Sequence, residues 1–406
     1  MHVIFVEPRF PANQRQFVRA LHAVGAKVTG IGESPVDALG DSLRGWLHAY
    51  EQVPSVCDEP AMLETVRRIQ KREWVDRLEA TIEAHILPVA RVREACHIPG
   101  TSVQTAFLCR DKPAMKEALR KAGVPTARST GAASADEVRA FANEVGYPLI
   151  LKPRAAAGAS GTVRVNDAKE LEVAVAEQGF ERGGSVAVEE FIEGHEGFYD
   201  TLSIDGRPTH EFISHYYPGV LEAMRTRWIS PQIITTNRLD APGYTALKVM
   251  GAEVIRALGI GTSATHMEWF YGPKGLKFSE IGCRPPGVGT WDLYSAANDF
   301  DLFVEWASAI VRGTPTRPPS RRFSAGMIAL RPDRDGRILG YEGVERMYQR
   351  YGSFIIDSHL PPPGTPTQPV EAGYMANAYV RLKHPDYDAL HAIMDDVGQT
   401  VKVRAQ

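Results

Sequence analysis

Cysteine is scarce in this 406-residue chain, and the four that occur, Cys57, Cys96, Cys109 and Cys283, show neither the paired spacing of a zinc site nor a disulfide framework. The fold must therefore stand without cross-links, and free thiols suit a reducing compartment. Long apolar runs are missing too. No segment reaches the ~18 residues of a membrane span, and the apolar part of "MHVIFVEPRF" is far shorter than a signal peptide needs. A cytoplasmic address, with no membrane partner, is the expectation. Charge of one sign is not in excess: 46 Lys and Arg stand against 49 Asp and Glu, a formal net charge of -3, which makes nucleic acid a poor partner. There is no internal repeat and no low-complexity domain.

What is present is a globular composition. With 44% hydrophobic and 23% charged residues, the chain can bury a large core and divide into two to four domains or subdomains. "HVIFVE", helical spacing from Arg15 to Val24 and "AKVTGIG" read as a βαβ start, but the first turn, "EPRFPANQ", lacks the G-x-G-x-x-G that lets a backbone approach a pyrophosphate. A long helix is expected over about Asp76 to Ala95, ending at a break near Pro99-Gly100. "DKPAMKEALRKA" predicts a helix with Asp111 as N-cap and Pro113 in its first turn. Next come the strand "YPLILKP", the small-residue loop "RAAAGASG", the strand "SVAVEEFI" and a hairpin turning at Asp205-Gly206. A helix over about 243–258, a strand-turn-strand "THMEWFYGPKGLKFSEIG", and a tail with further strands and a final helix complete the pattern.

The strand-turn-strand carries the sharpest chemistry. With a loop from Gly272 to Gly275, Tyr271 faces Leu276, and Glu268 falls opposite Ser279 or, with a one-residue bulge, Glu280. Directly opposed carboxylates repel unless a cation or a shared proton sits between them, and His266 lies on the same face. The alternative is a solvated strand face. Oxygen ligands without cysteine favour a hard ion, and Mg²⁺ uses one or two carboxylates together with substrate phosphates. Upstream, Lys152 ends an apolar strand before small residues whose amides could wrap an anion, although no G-K-[ST] follows. Lys112 opens a helix, where the dipole mildly disfavours a cation and an anion-holding role fits. In "VAVEEFIEGHEG" the strand end can offer backbone groups to a purine edge, with Glu196 free to accept from ribose hydroxyls; an acidic edge strand is the plain alternative.

In that order these parts resemble the ATP-grasp superfamily, clearly over about residues 100 to 315. The resemblance implies an α/β and α+β class: an ATP-grasp fold with an N-terminal Rossmann-like pre-ATP-grasp domain over 1–100, subdomains over 101–185 and 186–315, and a C-terminal α+β addition over 316–406. By resemblance, Lys112 and Lys152 contact phosphates, and Gly158, Ser160 and Gly161 belong to a lid over the triphosphate. Glu189, Phe191 and Ile192 match the adenine hinge and Glu196 the ribose-binding glutamate. Glu268 and Glu280 match the Mg²⁺ carboxylates, and Arg284 the arginine that steadies the transferred phosphoryl group. Many members read E-x-N-x-R at this point. Here Gly282 replaces the asparagine, which leaves one or two Mg²⁺ ions open.

The implied chemistry is ATP-dependent phosphorylation of a carboxylate followed by attack of an amine. "GTSATHMEW" and "SEIGCRPPG" look most like the carboxylate-amine ligases that join amino acids. The expected partners are small carboxylates and amines, amino acids among them, and a homodimer is the assembly considered. Arg225, Arg227 and His266 are candidate substrate contacts. The other readings are an ATP-grasp carboxylase, against which stands the lack of a recognisable biotin-carrier segment, a purine-pathway ligase, and a non-catalytic nucleotide-binding regulatory protein. A nicotinamide oxidoreductase suffers from the missing glycine motif.

Overall fold

The computed structural model describes residues 1–154, 161–370, 374 and 377–406, apart from the side chain of Glu181. At the N-terminus, four parallel strands lie in the order Ala49–Gln52, Lys27–Gly32, His2–Val6, Arg77–Glu79. The inner strand His2–Val6 is buried along its whole length, which is why Val3 to Val6 form a continuous apolar run rather than an alternating one. The helix expected from Asp76 begins only at Ile86; before it, Arg77–Glu79 pairs with Val3 to Phe5 as the fourth strand. Three residues are too few for a period to show, and only the pairing with a strand some seventy positions earlier in the chain fixes them as extended.

A small antiparallel sheet follows, in the order Ser129–Ala132, Val186–Glu190, Leu149–Pro153, Val163–Val165. The largest sheet has eight antiparallel strands: Gly275–Gly282, Ser263–Gly272, His195–Ile204, Arg207–Tyr217, Gln232–Thr235, Ser324–Leu330, Ala378–His384 and Ile355–His359. An apolar cluster ties the N-terminal helix Gln14–Ala23 to this long sheet through the helices Thr290–Asn298 and Leu302–Arg312. Within it, Phe17 meets Trp291, Phe303 and Trp306 at ring distances of 5.1, 4.9 and 5.0 Å. Fully buried aromatics at such spacings add attraction beyond area burial, and this cluster fixes the N-terminal sheet against the rest. No helix among the described residues is long and apolar enough to cross a membrane.

The rear face of the long sheet holds a histidine-tyrosine cluster. His195 Nε2 and His215 Nδ1 are 2.8 Å apart, and His215 Nε2 is 2.8 Å from the Tyr244 hydroxyl. Burial, then the neighbouring His391, lowers the His195 imidazole. Burial, then His195, lowers His215 from 6.5 to about 3. A depressed imidazole binds its proton more readily in the unfolded chain, so this stabilisation is complete above pH ~6.5 and is lost as pH falls below it. Each imidazole removes up to about 1.4 kcal/mol per pH unit there. The urea midpoint should therefore drop between pH 7 and pH 5, and His215→Phe should flatten the drop; equal slopes in both proteins would disprove this assignment.

Candidate active site

The site lies in a cavity of about 530 Å³ between the small sheet and one face of the long sheet. Its lysine side begins at the helix Lys112–Lys121. Asp111 caps that helix as expected, its Oδ1 accepting from Ala114 N–H at 3.0 Å, and also receives both Nε and Nη2 of Arg154 at 3.0 Å. Arg154 directly follows the strand Leu149–Pro153, so this bidentate pair fixes the start of the helix beside the strand that carries Lys152. Lys112 and Lys116, four residues apart, share one helix face. Lys116 carries no motif of its own, and its i,i+4 spacing from Lys112 is the one sequence feature that ties it to the site.

Two of the lysines converge on one oxygen. Lys116 Nζ and Lys152 Nζ stand 2.6 and 2.9 Å from Glu189 Oε2. Glu189 pairs with Ile150 across the ladder, which puts Lys152 in the diagonal position that a long side chain reaches. Burial alone would raise the Glu189 carboxyl, but the two ammonium groups hold it at about 2. The lysines move oppositely. Burial dominates at Lys116 and lowers it to about 8, whereas at Lys152 burial is outweighed by Glu189 together with Glu280 and Glu268, and its net shift is upward. Glu189 Oε1 is buried without a hydrogen-bond partner. Buried ion clusters of this kind contribute little net stability, since desolvation offsets the attraction. An acceptor left open beside them leaves room for a donor from water or a ligand.

The glutamate side is one face of the long sheet. Glu196, Phe198 and Asp200 alternate inward along His195–Ile204, opposite Phe270, Glu268 and His266 respectively. The adjoining hairpin continues the rows: Tyr271 pairs with Leu276, and a bulge after Glu268 sets Glu268 against Glu280 and His266 against Gly282. Lys112 Nζ lies 3.1 Å from Glu280 Oε2. Burial raises the Glu280 carboxyl, yet Lys112 and Lys152 outweigh it and leave it lowered. Glu196 moves the other way, pushed up by burial and by Glu268, although its Oε2 accepts from Val220 N–H at 2.7 Å. Gly194, with φ of 149°, turns the chain from the "EEFIE" edge into this strand; a Cβ there would come within 2.4 Å of the Tyr271 carbonyl oxygen.

The remaining sequence candidates divide. Phe191 and Ile192 line the cavity, and the guanidinium of Arg164 lies 4.1 Å from the centre of the Phe191 ring. Arg225 also lines it, whereas Arg227 pairs with Asp335 at 2.6 Å. Gly161 is described, and Gly158 and Ser160 lie outside the described residues. Arg284 Nε is held 2.7 Å from Oε2 of Glu83, a residue of the N-terminal segment. A Cβ on Gly282 would lie 3.2 Å from the same Glu83 oxygen, so Glu83 stands beside the position where many ATP-grasp sequences have asparagine. Glu83 and Asp200 carry no local motif that would mark either in the sequence.

Two antiparallel sheets facing each other over a cleft, together with a parallel N-terminal sheet, make up the ATP-grasp fold, and the chain has that fold. The solved structure of an L-amino acid ligase from Bacillus licheniformis matches it with a TM-score of 0.78 at 21% identity, covering 100% of this chain and 98% of the other. Residues 111–198 match the family model described as the carbamoyl-phosphate synthase L chain, ATP binding domain. In sequence, the chain is 27% identical to an L-arginine-specific L-amino acid ligase of Bacillus subtilis over 319 residues, 77% of this chain and 76% of the relative. It is also 27% identical to the alanine-anticapsin ligase of Bacillus subtilis (strain 168) over 253 residues, 55% of this chain and 50% of the relative. The matched region spans about half to two thirds of the length of the first curated relatives.

Proposed function

We propose that the protein is an ATP-dependent carboxylate-amine ligase that joins small acids to amines, amino acids among them. The observation that carries this reading is the charge lining of one cavity, where Lys116 and Lys152 meet Glu189 beside the small sheet and Lys112 reaches Glu280 of the long sheet, with Glu268 facing Glu280. The orphaned Glu189 Oε1 suits an amino donor such as that of adenine, beside the apolar wall of Phe191 and Ile192. Lys112 and Lys152 would neutralise phosphate oxygens, and Glu196 would meet the ribose.

Among the described residues no group of three or more His, Cys, Asp or Glu is arranged to hold a metal ion. A pair of facing carboxylates nevertheless fits Mg²⁺, which needs only one or two from the protein when phosphates and water complete its shell. Glu268 and Glu280 would hold it, and its chemistry would be to draw charge from the phosphate oxygens.

In the reaction proposed, a carboxylate oxygen of the acid bonds to the terminal phosphorus of ATP as the bond to ADP breaks. The amine nitrogen then bonds to the acyl carbon, phosphate leaves, and the amine loses a proton. The protein's part is positioning and charge neutralisation, with Arg284 steadying the transferred group once it exchanges Glu83 for that partner. Incubation with ATP, Mg²⁺ and pooled amino acids and small acids should give ADP, phosphate and a new amide by mass spectrometry. Formation of AMP and pyrophosphate would refute the reading.

A further inference from the structure

We propose that Asp200, held in turn by Tyr294, is a positioning residue that turns the His266 ring so that Nε2 faces the reacting centre; this rests on the ligase reading above. Asp200 is 1% exposed, and a carboxylate that deep is costly unless its oxygens are occupied. Both are. Oδ1 lies 2.7 Å from His266 Nδ1, and Oδ2 accepts from the Tyr294 hydroxyl.

Tyr294 is itself immobilised. Its ring stacks on Phe212 with centroids 4.1 Å apart and planes 5° from parallel, and its hydroxyl lies 3.4 Å from Ser214 Oγ. The His266 ring is confined on its other side by Phe198, edge to face at 5.0 Å. With Nδ1–H donated to Asp200, the ring's remaining nitrogen, Nε2, is 3.8 Å from Glu268 Oε1, too long for a direct hydrogen bond. His266 pairs across the strands with Gly282, next in the inward row to the Glu268–Glu280 pair that lines the cavity, and Gly282 stands two residues before Arg284.

A purely structural network would have no need of this location. The backbone ladder between Ser263–Gly272 and His195–Ile204 is continuous through His266 and Asp200, so the side chains are not required to hold the strands together. An apolar pair of the same volume would also avoid burying a charge. What Asp200 adds is a fixed tautomer and orientation, the service a buried carboxylate performs for an imidazole in other active sites.

The test combines a spectroscopic and a kinetic arm on the full chain. In ¹⁵N-histidine-labelled protein, the His266 Nδ1–H resonance, assigned by its loss in His266→Ala, should be strongly downfield and should move or vanish in Asp200→Asn. ADP release from ATP and Mg²⁺ with the twenty amino acids should fall by roughly 10²-fold in kcat for Asp200→Asn, with KM for ATP little changed. Asp200→Asn should add nothing in a His266→Ala background, because one residue acts through the other. Tyr294→Phe, which removes a single oxygen, should show a smaller effect in the same direction and keeps the test open where Asp200→Asn fails to fold. Additive losses in the double variant, or an unmoved Nδ1–H resonance, would overturn the proposal. Absence of amino-acid-dependent ADP release in the parent would instead overturn the ligase reading and the catalytic use of His266, while the resonance still decides whether Asp200 sets the ring.

Discussion

Lys152→Ala should lower amino-acid-dependent ADP release by roughly 10²-fold or more, equivalent to several kcal/mol of transition-state stabilisation. Lys152 ends the central strand of the small sheet, is buried, and projects its ammonium to 2.9 Å from Glu189. In a water-poor cleft a positive charge aimed at a triphosphate is worth far more than on the surface, because little solvent competes for it. The substitution also leaves Glu189 with Lys116 alone, so denaturant midpoints must be measured alongside. A correctly folded Lys152→Ala protein with near-normal turnover would end the assignment of this lysine to the phosphates.

The second large effect concerns the facing glutamates. Glu280→Gln and Glu268→Gln should each raise the Mg²⁺ concentration needed for half-maximal ADP release by roughly ten-fold or more, since Mg²⁺ takes few protein ligands and each charged oxygen carries a large share of the hold. Ser279→Ala is the control, for Ser279 is the extra residue of the bulge and has no cross-strand partner in the Glu268 ladder. ATP affinity should fall less than magnesium affinity, because the lysines and the hinge remain. With Gly282 in place of a third oxygen ligand, the loss should be steepest at Glu280. Unchanged magnesium dependence in both Gln variants, with activity retained, would show that this hairpin does not bind the metal.

The sequence made legible what local chemistry dictates. Asp111 followed by Lys112 and Pro113 fixes a helix start through capping and a preset φ, and the structure has that helix from Lys112. Gly272 and Gly275 fix the hairpin register, so the inward row of His266 and Glu268 could be read before any tertiary contact was known. Only the bulge is undecided from sequence, because Glu268 opposite Ser279 and Glu268 opposite Glu280 are both compatible with the same turn. What stayed illegible depends on distant partners. Arg77–Glu79 is extended only because Val3 to Phe5 lies beside it. Glu83 reaches Arg284 across two hundred positions of chain, and Asp200 acquires meaning only when His266 is set opposite to it. Lys116 reads from sequence as one more lysine on an exposed helix face. Its burial to 1% arises because the small sheet closes over that face.

The Lys112–Glu280 pair changes how the cleft treats its visitors. The protein's own carboxylates serve as counter-ions to its lysines: Glu280 to Lys112, and Glu189 to Lys116 and Lys152. On the proposed reading, a triphosphate arriving bare would draw Lys112 away and leave Glu280, beside Glu268, with less positive charge around it. On the same reading, a divalent cation at Glu280 would compete with Lys112 for that carboxylate. When both arrive, each removes the penalty the other creates, and thermodynamic reciprocity requires that the two affinities rise by the same factor. On the proposed reading the cleft would thus behave as an ion exchanger with its own salt already loaded, taking metal and nucleotide more readily together than apart.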